Sequence, residues 1–133
     1  MGSGIKEDPF IIEPVEDKYQ SLTIYKSINY VILKNFNLKS ILLAQCRNIT
    51  IENCEIRHFH ITYCLNIKIK DIYVNNLILD TCDKIFIEDC NIGKLTIHYY
   101  EKGKIIFKNC SFKKISKKLI RHLELNSNVI KHI

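Results

Sequence analysis

The chain has 133 residues, 47% of them apolar and 26% charged, with a formal net charge of +6. That is the length of one domain, with enough apolar side chains to fill a core. No apolar run approaches 18 residues, which excludes a membrane-spanning helix, and no secretory signal is visible.

In chain order, residues 1–4 read as an appended leader and are set apart from the fold. Residues 5–20 follow no period and are expected to form an N-terminal cap, with Phe10, Ile11, Ile12 and Val15 covering the open end of the first turn. Residues 21–133 read as one repeat domain. It opens with Leu22, Ile24 and Ser27, which match Ile41, Leu43 and Cys46 at a spacing of 19. From Val31 the apolar positions return every 18 residues: Val31, Ile49, Ile67 and Ile85 share one column, and Ile41, Phe59, Leu77 and Leu95 another. Within a turn the apolar gaps run 2, 3, 2, 3, 2, 3 and 3. A gap of two keeps side chains on one face of a strand, and a gap of three breaks the alternation as a bend does. A helix would need apolar residues at i, i+3, i+4 and i+7, which this pattern does not supply.

Near Tyr99, Tyr100 and Gly103 the spacing lengthens by two, because Ile85 recurs at Ile105. Insertions of this kind sit at corners, often on a binding face. The columns resume with Phe107, Cys110, Phe112 and Ile115. Residues 116–122 read as a short helical or irregular corner, and a last partial turn is expected at a spacing of 18 through Leu123, Leu125, Asn128, Ile130 and Ile133. The expected fold is all-β: a single-stranded parallel β-helix with three short strands per 18-residue turn and five to six turns. Right-handed coiling is expected, as for most crossovers between parallel strands.

Polar columns fit the same register. Asn35, Asn53, Asp71, Asp89 and Asn109 recur at one corner, and these residue types tolerate left-handed backbone. Turn chemistry is the preferred explanation, with a side-chain ladder as the alternative. Lys34, Glu52, Lys70, Glu88 and Lys108 alternate in sign on an outward column. Cys46, Cys64 and Cys82 share one inward column, and Cys54, Cys90 and Cys110 another. With no CxxC pair, they read as small buried apolar residues rather than disulfides or metal ligands, which points to a reducing, cytoplasmic location. No cofactor or metal is expected.

Three functional leads follow. Residues 1–20 set Lys6 and Lys18 against five carboxylates, while residues 113–133 set six basic residues against Glu124. Opposed ends favour a scaffold or interaction module that self-associates head to tail or edge to edge, or binds another protein. Second, Lys39, Arg57, Lys94, Lys113, Lys114, Lys117, Lys118 and Arg121 are polyanion-binding candidates along one edge and the basic end. Third, His60, Asp80 and His98 fall on the outer face of the third strand as weak catalytic candidates, with the two histidines two turns apart. Tyr63, Tyr73 and Tyr99 are expected to point outward.

The stretch Asn48-Ile49-Thr50-Ile51-Glu52-Asn53-Cys54-Glu55-Ile56, echoed from Lys84 to Ile92, resembles the repeat of right-handed parallel β-helices of the pectin-lyase-like superfamily. The likeness covers about residues 21–133 and implies the fold before any activity. That superfamily includes polysaccharide lyases and hydrolases, and adhesins. The resemblance therefore implies a carbohydrate-binding module, or a degenerate polysaccharide-active enzyme, as alternatives to the scaffold. The chain is also similar in turn length to bactofilins, which polymerise through their ends, and in scale to the actin- and tubulin-cofactor β-helices.

Overall fold

The computed structural model describes residues 2–15, 20–98, 104–115 and 130–132. Among these the chain is all-β, without a helix, and its parallel strands stack into a β-solenoid of about five turns. The strands are β1 (Phe10–Ile12), β2 (Gln20–Tyr25), β3 (Val31–Lys34), β4 (Asn37–Ala44), β5 (Arg47–Thr62), β6 (Leu65–Asp80), β7 (Asp83–Glu88), β8 (Asn91–His98), β9 (Ile105–Lys108), β10 (Cys110–Ile115) and β11 (Ile130–His132).

The expected register is the observed one through the central coils. Ile49 pairs with Ile67 and Ile67 with Ile85; Phe59 pairs with Leu77 and Leu77 with Leu95. Strands β5 and β6 run through two corners each, yet pairing skips residues 53 and 57, leaving three paired segments per coil. Leu22 pairs with Ile41 and Ile24 with Leu43, confirming the spacing of 19. Ile85 pairs with Ile105, so the two-residue insertion is absorbed and the ladder recovers.

Among the described residues from Val31 to Ile115 the inward columns are apolar and buried, save Cys82, which is partly buried, and no polar residue is buried with them. A stacked coil has no other place for these side chains, and each large one contributes roughly 1.5–3 kcal/mol on burial. The six thiols are free. Five of the thiols donate toward a carbonyl of the coil before them, as Cys64 Sγ does to Leu43 O (3.4 Å) and Cys82 Sγ to Ile61 O (3.3 Å), whereas Cys54 Sγ donates to Glu52 O of its own coil and accepts from Phe36 N. Burial pushes the Cys64 thiol up to about 12 and raises Cys54 and Cys82. Cys90 is raised by its hydrogen bond with Cys110 and then by burial. Protonated thiols of this kind are inert packing groups.

Corners bend through left-handed residues. Asn35, Asn53, Asp71, Asp89 and Asn109 all have φ between 53° and 66°. A second corner uses two left-handed positions three residues apart: Gln45 with Asn48, Tyr63 with Asn66, and Thr81 with Lys84. The corner amides do more than turn the chain. Asn53 Nδ2 donates to Asn35 Oδ1 at 2.7 Å, Asn66 Nδ2 to Asn48 Oδ1 at 2.8 Å and Asn109 Nδ2 to Asp89 Oδ1 at 2.6 Å. The side-chain ladder set second to turn chemistry is therefore present in part.

The ends depart from the sequence reading. Strand β1 joins the ladder beside β3, Phe10 against Val31 and Ile12 against Leu33, at a spacing the 18-residue period does not contain. Val15 is 98% exposed and covers nothing, because it lies beyond the last paired residue of β1. Gly4, set apart in the sequence, accepts a hydrogen bond from Tyr30 N at 2.8 Å. At the other end Ile130 pairs with Cys110 and His132 with Phe112, not Ile130 with Phe112. That is a two-residue shift from the expected register. Leu123, Leu125, Asn128 and Ile133 lie outside the described residues.

Candidate functional site

The third-strand face carries Asp80, His98 and His60. Register there puts Thr62 beside Asp80 and Asp80 beside His98 on successive coils. His60 belongs to the neighbouring column, paired with Ile78. The three residues therefore do not converge: Asp80 and His98 are a stacked pair, and His60 sits diagonal to Asp80. Asp80 Oδ1 accepts from Thr81 Oγ1 at 3.0 Å. His60 Nε2 is buried with no hydrogen-bond partner among the described residues. An aspartate and a histidine stacked on adjacent coils are the one part of the expected set that the register brings side by side.

The basic candidates fall into two patches. The corner after the second strand is two residues wide, reading Lys39-Ser40, Arg57-His58, Asn75-Asn76, Gly93-Lys94 and Lys113-Lys114 in coil order. Ser40 pairs with His58, His58 with Asn76, Asn76 with Lys94, and Lys94 with Lys114. Lys39 and Arg57 thus form one group and Lys94, Lys113 and Lys114 another, separated by the uncharged Asn75-Asn76 rung. His58 Nδ1 lies 3.2 Å from Asn76 Nδ2. Lys117, Lys118 and Arg121 lie outside the described residues.

Between this corner and the Asn/Asp corner runs a groove that the sequence reading did not pick out. The second strand is three residues long in each coil, inward, outward, inward, so it contributes a single outward column. In register that column is Asn37, Glu55, Tyr73, Asn91 and Ser111. A recess of about 510 Å³ spans the column and the Asn35, Asn53, Asp71 and Asp89 corner. A neighbouring recess of about 350 Å³ adds Arg57 and Asn75. A third, of about 180 Å³, lies over Gly93 between Asn75 and Lys113. Gly93 sits so near the coil below that a Cβ there would come 2.5 Å from Asn75 O.

The groove's chemistry is mixed. Glu55, Asp71 and Asp89 supply carboxylates, and Arg57 and Lys113 supply cations. Asn37, Asn53, Asn75 and Asn91 supply amides. Tyr73 stands in the middle of the column, 59% exposed. Asn37 Oδ1 is buried without a hydrogen-bond partner among the described residues. Its second-strand neighbours were each visible in the sequence as outward residues, but only a tabulated column of positions two after the Asn/Asp corner would have shown them as one line.

Among the described residues no group of three or more His, Cys, Asp or Glu side chains is arranged to hold a metal ion. No helix among them is long and apolar enough to cross a membrane. No protein-family model, curated protein or solved structure matches the chain.

Proposed function

We propose that the protein is a non-enzymatic β-solenoid interaction module, and that the groove over the second strands binds an extended carbohydrate. The observation that carries this is Tyr73, an exposed aromatic ring centred in a line of amides and carboxylates. Sugars combine apolar ring faces with many hydroxyls that both donate and accept. An amphipathic aromatic platform flanked by Asn, Asp and Glu offers both kinds of contact. Coils repeat about every 4.8 Å, so a linear polymer lying along the axis meets similar groups at each step. The same reading places the chain with the right-handed pectin-lyase-like β-helices, on the strength of the stacked coils and their Asn/Asp corners.

The test is a panel of neutral and acidic oligosaccharides screened against the intact chain and Tyr73→Ala. Binding that falls about tenfold or more in the variant supports the groove. No binding to any sugar in the panel would exclude it. A polyanion such as heparin, retained in a way that depends on Lys94, Lys113 and Lys114 but not on Tyr73, would instead favour the basic corner.

A further inference from the structure

Tyr73 stands where two recesses of opposite charge meet. The larger, of about 510 Å³, is lined by the carboxylates of Glu55, Asp71 and Asp89 and by no lysine or arginine. The smaller, of about 180 Å³ over Gly93, is lined by Lys113 and by no carboxylate. Tyr73 and Asn91 line both, and they pair across successive coils. In a chain of net charge +6 the acidic recess runs against the overall field, so what it attracts the rest of the surface repels.

Register produces the division. Asp71 and Asp89 precede Tyr73 and Asn91 by two residues, on the Asn/Asp corner. Gly93 and Lys113 follow Asn91 and Ser111 by two, on the opposite corner. The outward column of the second strand runs between them, so the groove here has one acidic wall and one basic wall. Asp71 and Asp89 occupy the same corner of successive coils, and like charges so stacked destabilise each other unless a cation lies between them. Among the described residues no three acidic side chains are arranged for a metal ion. An organic ammonium needs no such convergent shell, and it is also drawn to an aromatic face such as that of Tyr73. On the other wall Gly93 adds no side chain to the floor, and the Lys113 ammonium offers an acidic group a charge-assisted hydrogen bond.

We propose that the groove selects a zwitterionic saccharide, with free amino groups on the edge facing Asp71 and Asp89, acidic groups on the edge facing Lys113, and a ring lying on Tyr73. This selection depends on the groove being the carbohydrate site proposed above. A purely anionic sugar meets the carboxylate wall and a purely cationic one meets Lys113, so neither satisfies both sides.

Four oligosaccharides of matched length separate the two charges. De-N-acetylated hyaluronan carries amines and carboxylates, hyaluronan carboxylates alone, chitosan amines alone, and N-acetylated chitin oligomers neither. Each is titrated calorimetrically into the intact chain at slightly acidic pH, where sugar amines and carboxylates are both charged. De-N-acetylated hyaluronan should bind about tenfold or more tighter than the other three, with an advantage that shrinks as salt is added. Asp71→Asn with Asp89→Asn should remove its advantage over hyaluronan, and Lys113→Gln its advantage over chitosan. Asparagine at position 89 keeps an oxygen that can accept from Asn109 Nδ2, and thermal melting checks that each variant is folded. Equal binding of all four, tightest binding by a singly charged sugar, or variants that weaken all four alike would overturn the proposal and leave the carbohydrate groove standing. Failure of all four to bind would remove the groove reading and the proposal together.

Discussion

Asn53 and Asn35 sit one coil apart with their side chains joined by a 2.7 Å hydrogen bond, and both hold left-handed backbone, at φ 53° and 66°. A single residue type thus satisfies two demands at that corner, the backbone conformation and the vertical contact. Asn53→Ala removes both and should destabilise the fold by about 1–2 kcal/mol. Asn53→Gly keeps the backbone and loses only the exposed bond, so its cost should be about half or less. Urea denaturation midpoints distinguish them, and equal losses would show that conformation does not dominate.

Thr81 is the opposite case. It is β-branched, holds φ 53°, and its hydroxyl donates to the adjacent Asp80 carboxylate. Left-handed backbone at such a residue is strained. Thr81→Asn should stabilise the protein by up to about 1 kcal/mol, read as a raised melting temperature, whereas Thr81→Val should not.

Gly93 lies where the coil below leaves no room for a side chain. A Cβ would meet Asn75 O at 2.5 Å, a backbone atom that cannot swing aside. Gly93→Ala should cost about 1–3 kcal/mol as neighbouring coils shift apart. It should also shrink the recess between Asn75 and Lys113, so any ligand held there should bind less well. A variant as stable as the parent would mean the coils part without strain.

Phe107 and Phe112 meet edge to face, centroids 5.1 Å apart and planes at 78°, both within the core. A double-mutant cycle with Phe107→Leu and Phe112→Leu should return a coupling of about 0.5–1.5 kcal/mol. Strict additivity would count against the ring contact.

The Cys64 thiol holds its proton to about pH 12 in the folded state, through burial, against an ordinary value of 9.0. The unfolded chain ionises first. Its contribution to stability is intact below about pH 9 and is lost as pH rises through the folded value. Thiol titration at pH 8 should accordingly find Cys64 unreactive until denaturant is added; rapid labelling of the native protein would contradict its burial.

The inward columns were legible because apolar residues at fixed spacing have one stable arrangement, coil on coil. Ile49, Ile67 and Ile85 could be stacked from the period alone. The corner residues Asn53 and Asp71 were legible from residue type, but Gln45, Tyr63 and Thr81 were not, since nothing in their chemistry announces left-handed backbone. Strand β1 was missed because Phe10 and Val31 are separated by a connection outside the repeat. The same cause hid Glu13, whose carboxylate lies 3.6 Å from Lys34 Nζ and extends the alternating charge column downward by one rung. The groove was missed for a different reason. Its residues share no type, and only shared register makes Asn37, Glu55, Tyr73, Asn91 and Ser111 neighbours. The separation of His60 from Asp80 follows from the same register, since residues of even offset on one coil still occupy different columns.

Because each coil bonds only to the coil above and the coil below, cohesion is a nearest-neighbour property, and the molecule resembles a short one-dimensional lattice. Fraying then starts at the terminal rungs and works inward. Amides of β5 and β6 are shielded on both sides and should be the last to exchange with solvent deuterium.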